Sequence, residues 1–288
     1  MSGLPDSDVV ITEQVVRSLL ATSPWPTPLV VEQVAFGFDF ETWRADELAL
    51  RLPRRSSVVA ALGSEQHWLA SATATVGLEV PTVLFEGSPT ESFPYPWSVV
   101  HFIEGEVGYR VDRLDVASAA ASLGTTLAHL HAVAPHDAPR NPWRGVALAA
   151  RVDSFEAHTR QLPPALRETL RRHFDRGVST TPYQGEDRWV HGDIHLGNVI
   201  FRDHRLVGLI DFSDLTAGDP STDLGGALFT LPASSHEEFW RAYGIDETAL
   251  RERAIGWASL FVALHLGIGE EPYVAMATQA ATWLSELD

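Results

Sequence analysis

Short apolar runs broken by turns dominate the first third of the chain, and longer stretches of helical periodicity dominate the rest. Residues 9–21 (VVITEQVVRSLLA) predict a short amphipathic helix. Pro24, Pro26 and Pro28 end it, because proline lacks the N–H a helix needs and clashes with the turn before it. The run 29–36 is β-type, and a second β-type segment lies within 43–52. Residues 47–54 (ELALRLPR) alternate and stop at Pro53, which predicts a third strand. Residues 57–74 read as a helix, and 81–85 and 97–106 as two more strands. Further on, Val116, Ala120, Leu123, Leu127, Leu130 and Ala134 recur at spacings of 4, 3, 4, 3 and 4, the core face of a helix. His131 sits beside that face and reads as a structural histidine. Another helix is predicted around 164–174. Residues 237–287 read as helices with Trp257, Leu260, Phe261, Leu264 and Leu266 in the core.

One stretch departs from both patterns. Residues 189–211 (WVHGDIHLGNVIFRDHRLVGLID) gather His191, Asp193, His195, Asn198 and Asp211 around Gly192 and Gly197. Within it, 199–201 and 206–210 are apolar runs split by Asp203-His204, the pattern of a β-hairpin. A two-residue turn there sets Asn198 opposite Leu209, with Asp211 two residues beyond. Opposed residues lie about 5 Å apart and diagonal ones about 7–8 Å, so the hairpin returns Asp211 to the level of Asn198. An amide oxygen and a carboxylate at that separation can share a hard cation such as Mg²⁺, which takes oxygen ligands. A transition-metal cluster of His191, Asp193 and His195 is the alternative, since imidazole and carboxylate suit zinc. It lacks a matching His pair elsewhere to complete the ligand set. His191 is expected to brace the loop, and His195 to point at solvent or substrate.

Composition narrows the class. With 288 residues the chain can bury a substantial core, as one large domain or two lobes, and 45% of its residues are hydrophobic. Against 38 acidic residues stand 21 basic ones, all Arg, for a net charge of −17. That balance argues against general binding to nucleic acid or anionic membranes, and is compatible with a cationic small-molecule partner. No cysteine is present, so there is no disulfide framework and nothing marks secretion. The N-terminal residues MSGLPDSD lack a signal-peptide layout. The apolar stretch 254–269 is interrupted by His265 and shorter than the ~20 residues a membrane helix needs. A cytoplasmic protein, monomeric or homodimeric, is expected.

Asp193, then Asn198 five residues on, then a hairpin ending in Asp211 is the order of parts in kinase-type phosphoryl transfer. The stretch H-G-D-x-x-x-x-N (191–198), followed by I-D-F (210–212) and G-D-P-S-T-D-L (218–224), resembles the aminoglycoside phosphotransferase family of small-molecule kinases. Gly192 stands where protein kinases carry Arg. The resemblance covers about residues 29–270, with its sharpest motifs from Val190 to Asp223. It implies an α+β, two-lobed protein-kinase-like fold. Residues 1–105 would form a small, β-rich nucleotide-binding lobe, and 106–288 a larger, mainly helical lobe for catalysis and acceptor binding.

The resemblance assigns roles as well. Asp193 would accept the hydroxyl proton, and Asn198 and Asp211 would hold Mg²⁺ on the phosphates of ATP (or GTP). Arg51 falls where relatives carry a strand Lys that holds the phosphates, and Glu65 is its helix partner. Gly37 lies in a degenerate phosphate-covering loop (FGFDFET, 36–42), and Phe102 and Ile103 open the hinge that reads adenine through its backbone. Asp223 would hydrogen-bond the catalytic loop. Ser213 replaces the glycine that often follows I-D-F. The acceptor would be an aminoglycoside-like antibiotic or related metabolite, with macrolide, sugar, choline and homoserine kinases as alternatives. A non-catalytic nucleotide-binding module is a further one. Inserts within 135–184 would shape the acceptor site.

Overall fold

The computed structural model describes residues 3–25, 30–112 and 115–287. Pro26, Pro28 and Leu29, invoked above as a helix stop and a strand start, lie outside the described residues. The chain divides into two compact units.

The first unit comprises Leu4–Ser71 and Val80–Glu104. Helix α1 (Glu13–Leu20) starts four residues later than predicted, because Thr12 caps it by accepting the Val15 N–H. Strands β1 (Val31–Phe36), β2 (Phe40–Ala45) and β3 (Leu48–Pro53) follow as a meander. A short 3₁₀ turn (Ser56–Val58) leads into α2 (Val59–Ala72). Then come β4 (Val83–Gly87) and β5 (Trp97–His101). They form one antiparallel sheet in the order β1-β2-β3-β5-β4. The alternation read in 47–54 does not become an exposed face. β3 is the central strand, and all six of its residues are buried. Leu50, Leu52, Trp97, Val99 and Leu19 anchor its core.

The second unit holds Gly3, Ala72–Glu79 and the chain from Gly105 onward. Its helices are α3 (Val116–Leu130), α4 (Val152–Thr159), α5 (Pro164–Ser179), α6 (Ser221–Thr230), α7 (His236–Tyr243), α8 (Thr248–Ile268) and α9 (Tyr273–Ser285). α8 packs against α5, α6 and α9, with Trp257, Leu260 and Phe261 buried. Ala134 falls beyond the end of α3, where its N–H bonds the Asp187 carbonyl. Residue 106, predicted as the end of a long strand, instead opens β6 (Glu106–Val107) in a separate sheet. That sheet has the order β6-β8-β9, with β8 at Val199–Arg202 and β9 at Arg205–Leu209. β7 (Arg188–Val190) pairs with β10 (Thr216–Gly218).

The β8–β9 hairpin turns at Asp203 and His204, with φ of 51° and 62°. Two successive left-handed residues make a turn whose twist matches the flanking strands. Its register differs from the prediction. Arg202 pairs with Arg205 and Phe201 with Leu206, but Ile200 pairs with Gly208 and Val199 with Leu209, so Val207 bulges. The bulge is held by Glu79, whose N–H bonds the Val207 carbonyl at 2.8 Å while its carbonyl takes the Leu209 N–H at 3.0 Å. Asn198 therefore faces Ile210, whose N–H it accepts at 2.9 Å, and Asp211 is the very next residue. His204→Gly should stabilise the protein by about 1 kcal/mol, because it removes a left-handed penalty for a residue with a Cβ. A shift in the urea midpoint at unchanged slope is the check.

Candidate active site

The loop from His191 to Asn198 is fastened from below by Asp223. Fully buried on α6, this carboxylate accepts the His191 N–H (2.7 Å) and the Gly192 N–H (2.8 Å), and lies 3.2 Å from His131 Nε2. His131 Nδ1 in turn meets the Tyr243 hydroxyl at 3.0 Å. Burial, with the Asp223 charge adding to it, raises the Tyr243 pKa, so the phenol keeps its proton and donates. Gly226, one turn along α6, leaves room for the loop: a Cβ there would lie 2.6 Å from the Ile194 carbonyl oxygen.

His191 braces the loop from inside. Its Nδ1 accepts the Asp193 N–H (3.1 Å) and its Nε2 donates to the Ile210 carbonyl (3.0 Å). Both ring nitrogens are engaged, which removes the imidazole a transition-metal cluster would require.

Asp193 presents two unlike oxygens. Its Oδ2 lies 3.2 Å from Asn198 Nδ2 and 3.3 Å from His195 Nε2, while its Oδ1 lies 3.7 Å from an Arg144 guanidinium nitrogen. Asn198 Nδ2 also donates to the Asp193 carbonyl at 2.8 Å. Burial pushes the Asp193 pKa up, but its electrostatic interaction with His195, then the bond to that ring and the Arg144 guanidinium, outweigh it and hold the carboxyl well below the usual range. It is a carboxylate at neutral pH.

The amide of Asn198 thus turns its N–H groups to Asp193, which leaves its carbonyl oxygen as the atom that could meet a cation. Asp211 follows at the end of β9 in a left-handed conformation, φ 64°. Such a backbone costs about 1–3 kcal/mol for a residue with a Cβ and collects at functional sites. One amide oxygen and one carboxylate are the donor chemistry Mg²⁺ accepts when phosphate oxygens and water supply the rest. The residues fit that ion. Among the described residues no group of three or more His, Cys, Asp or Glu could hold a metal by protein ligands alone.

The sequence profile of the phosphotransferase enzyme family (APH) matches residues 30–255. The chain belongs to that family. No curated protein sequence matches it. Among solved structures, the GDP complex of wild-type aminoglycoside 2'-phosphotransferase-IIIa is similar at TM-score 0.71 and 16% identity, over 96% of this chain and 99% of that one. Macrolide 2'-phosphotransferase MphH from Brachybacterium faecium is similar at TM-score 0.66 and 22% identity, over 93% and 98%. The streptomycin–ATP ternary complex of APH(2")-IIa is similar at TM-score 0.58 and 17% identity, over 96% and 97%. The fold is the α+β kinase-like fold of these phosphotransferases, and the chain is itself a phosphotransferase.

Two residues beside Asp193 depart from the sequence reading. His195, expected to point at solvent or substrate, is 7% exposed, and its ring packs edge-on against His265 with centroids 5.4 Å apart. Arg144 was not singled out at all. Its loop is clamped to the segment around β10: the Asn141 N–H reaches Thr216 Oγ1 (2.9 Å), Asn141 Nδ2 reaches Asp214 Oδ1 (2.7 Å), and the Gly145 N–H reaches Thr222 Oγ1 (3.1 Å). Arg144 Nε lies 3.4 Å from Asp214 Oδ2. Gly192, with φ 93°, makes room for both partners. A Cβ there would sit 2.8 Å from the Asp214 Cβ and 3.2 Å from the Arg144 Cγ. Burial raises the Asp214 pKa, Arg144 opposes that, and the Asp193 charge adds to it.

In the first unit, the phosphotransferase brings Arg51 and Glu65 together. The Arg51 guanidinium donates to Glu65 Oε2 at 3.1 Å, with the side chains 6% and 2% exposed, and lies 4.7 Å over the Phe40 ring. Gly37 occupies the β1–β2 connection, where its N–H bonds the Phe40 carbonyl and its own carbonyl takes Arg54 Nη1 at 2.8 Å. Phe102 and Ile103 follow β5. The Phe102 N–H is committed to the Glu47 carbonyl at 2.8 Å, so Phe102 can offer an adenine edge only its carbonyl.

His265 is buried, and burial followed by the neighbouring His195 lowers its pKa to about 4. It is neutral at pH 7, with Nδ1 2.8 Å from the Phe261 carbonyl. Above the ordinary value of 6.5 its titration has no effect on stability. As pH falls from 6.5 toward 4 the unfolded chain takes the proton first, and stability is lost. At about 1.4 kcal/mol per unit, the loss between pH 7 and pH 5 should be roughly 2 kcal/mol. His265→Phe should remove most of that pH dependence in urea titrations at the two pH values.

Proposed function

We propose that the chain transfers the γ-phosphoryl group of ATP or GTP to a hydroxyl of a small molecule, with an aminoglycoside-like antibiotic or related metabolite as the first candidate. The observation that carries this reading is the placing of the Asp193 carboxyl group, with one oxygen beside His195 and Asn198 and the other turned toward Arg144. A carboxylate so held can accept the proton of an incoming hydroxyl. Asn198 and Asp211 would hold Mg²⁺, which when bound neutralises and aligns the phosphates. Arg51, held by Glu65, would bind phosphate oxygens; its guanidinium never loses its charge. The Phe102 carbonyl and the Ile103 backbone would read the adenine edge, and the loop at Gly37 would cover the phosphates. Most of the acceleration would come from alignment and charge placement. Use of a nucleoside triphosphate fits a cytoplasmic setting. Among the described residues no helix is long and apolar enough to cross a membrane.

A neutral macrolide-type acceptor is the second reading, favoured by one observation. Arg144 puts a cation beside the base, and its neighbour Trp143 is exposed and stacked on Arg151, 4.8 Å from that guanidinium to the ring centroid. A polycation gains nothing from a guanidinium there, whereas a large neutral ring can lie on an exposed indole.

The test is a panel of kanamycin, streptomycin, erythromycin, choline and homoserine with Mg·ATP or Mg·GTP, followed by nucleoside diphosphate release. A polycationic acceptor should show a KM that rises between 0.02 and 0.2 M salt, since screening lengths fall to about 10 Å at 0.1 M. A salt-insensitive KM points to the neutral ring. Failure of every acceptor with either nucleotide would overturn this choice of acceptors.

A further inference from the structure

His195 is the prominent group of the loop that the proposed chemistry leaves without a task. Its tautomer follows from its neighbours. The Gly197 N–H points at His195 Nδ1 from 2.9 Å, so Nδ1 is an acceptor and carries no proton. The proton is therefore on Nε2, which faces Asp193 Oδ2 at 3.3 Å. Asn198 Nδ2 lies 3.2 Å from the same Nε2. Two donors do not bond each other; Asn198 Nδ2 donates to Oδ2 at 3.2 Å, and Nε2 lies beside it, 3.3 Å from the same oxygen. The ring cannot drift from this pose, because His265 packs against one side and Gly197 touches another. A Cβ on Gly197 would lie 2.7 Å from His195 Cε1 and 2.9 Å from Nδ1. His265 is itself fixed through its bond to the Phe261 carbonyl.

We infer that His195 is a positioning residue for the catalytic carboxylate. With Asn198 it saturates Oδ2, fixes the rotamer of Asp193, and commits Oδ1 to the acceptor hydroxyl. His195 touches neither nucleotide nor acceptor in this scheme and acts only through Asp193. The inference rests on the reading of Asp193 as the base. Misplacing a reacting group by about 1 Å can cost around 10²-fold in rate, which sets the size of the effect.

The experiment compares His195→Ala, His195→Gln, Asp193→Ala and the double variant His195→Ala/Asp193→Ala. Each is assayed for nucleoside diphosphate release with Mg·ATP or Mg·GTP and kanamycin or erythromycin, after a thermal melt confirms folding. His195→Ala should lower kcat roughly 10–100-fold with the nucleotide KM within about twofold. Glutamine, whose amide N–H can take the place of Nε2–H, should recover most of kcat. In the Asp193→Ala background, removing His195 should cost nothing further. In ¹⁵N-histidine-labelled protein, the ring correlations of His195 should show the Nε2–H tautomer. Wild-type kcat for His195→Ala, equal deficits for the Ala and Gln variants, full additivity in the double variant, or an Nδ1–H tautomer would each overturn the inference. Full activity of Asp193→Ala would overturn the base assignment itself, and so the two failures are distinguishable.

Discussion

Asp193→Ala should lower kcat by about 10²–10⁴-fold, the range a positioned general base supplies. The nucleotide KM should change little, because the substitution removes a group that meets the acceptor and leaves Asn198 Oδ1, Asp211 and Arg51 in place. Asp193→Asn should be nearly as impaired, since an amide offers an oxygen to the hydroxyl but cannot take its proton. Stability should not fall in parallel. The carboxylate is held against a burial penalty by His195 and Arg144, and its removal relieves that penalty while leaving Arg144 beside a second carboxylate. The Arg144 guanidinium retains Asp214 at 3.4 Å. Equal kcat for wild type and Asp193→Ala, in folded protein, would exclude this carboxylate from the chemistry.

Asp223→Ala should be the most destabilising single change near the site, by about 3–5 kcal/mol, the cost of removing one partner from a buried charged network. Three donors depend on this residue: the backbone N–H groups of His191 and Gly192, and His131. Water has little access to replace it, because Asp223 and His191 are both 0% exposed. The loop would then lose its floor, so kcat should fall with stability. Asp223→Asn should be milder, since its amide oxygen still serves one of the two backbone donors. Urea titrations at pH 7 check the magnitude, and a loss below about 1 kcal/mol would mean that the loop is held from elsewhere.

What the sequence made legible is what is local. Asp193, Asn198 and Asp211 fall within one loop and one hairpin, so their spacing and the turn at Asp203-His204 were enough to bring them together. Asp223 was legible from its motif, and Arg51 and Glu65 from their places on a strand and a helix. Three features escaped because their causes are distant in the chain. The bulge at Val207 is set by the backbone of Glu79, which no pattern within 199–210 encodes. It puts Asp211 next to the partner of Asn198, one residue closer than the unbroken register allows. The burial of His195 depends on His265 of α8, brought there by helix packing. Arg144 lies in a Pro- and Arg-rich insert with no periodicity. Its arrival at Asp193 depends on clamps to Asp214, Thr216 and Thr222. The one trace in the sequence is Gly192, whose missing side chain is the space that Arg144 and Asp214 share.

In the proposed reaction a phosphoryl group moves to a hydroxyl through Asp193, with a divalent cation on Asn198 and Asp211. The most direct measurement is mass spectrometry of the panel acceptors after incubation with Mg·ATP or Mg·GTP, in parallel for wild type, Asp193→Ala and a chelator-treated control. One acceptor should gain a single phosphate with wild type, with the gain abolished by the chelator and at least 10²-fold slower with Asp193→Ala. A phosphorylated acceptor that accumulates equally fast with Asp193→Ala, or without divalent cation, would contradict the proposed reaction.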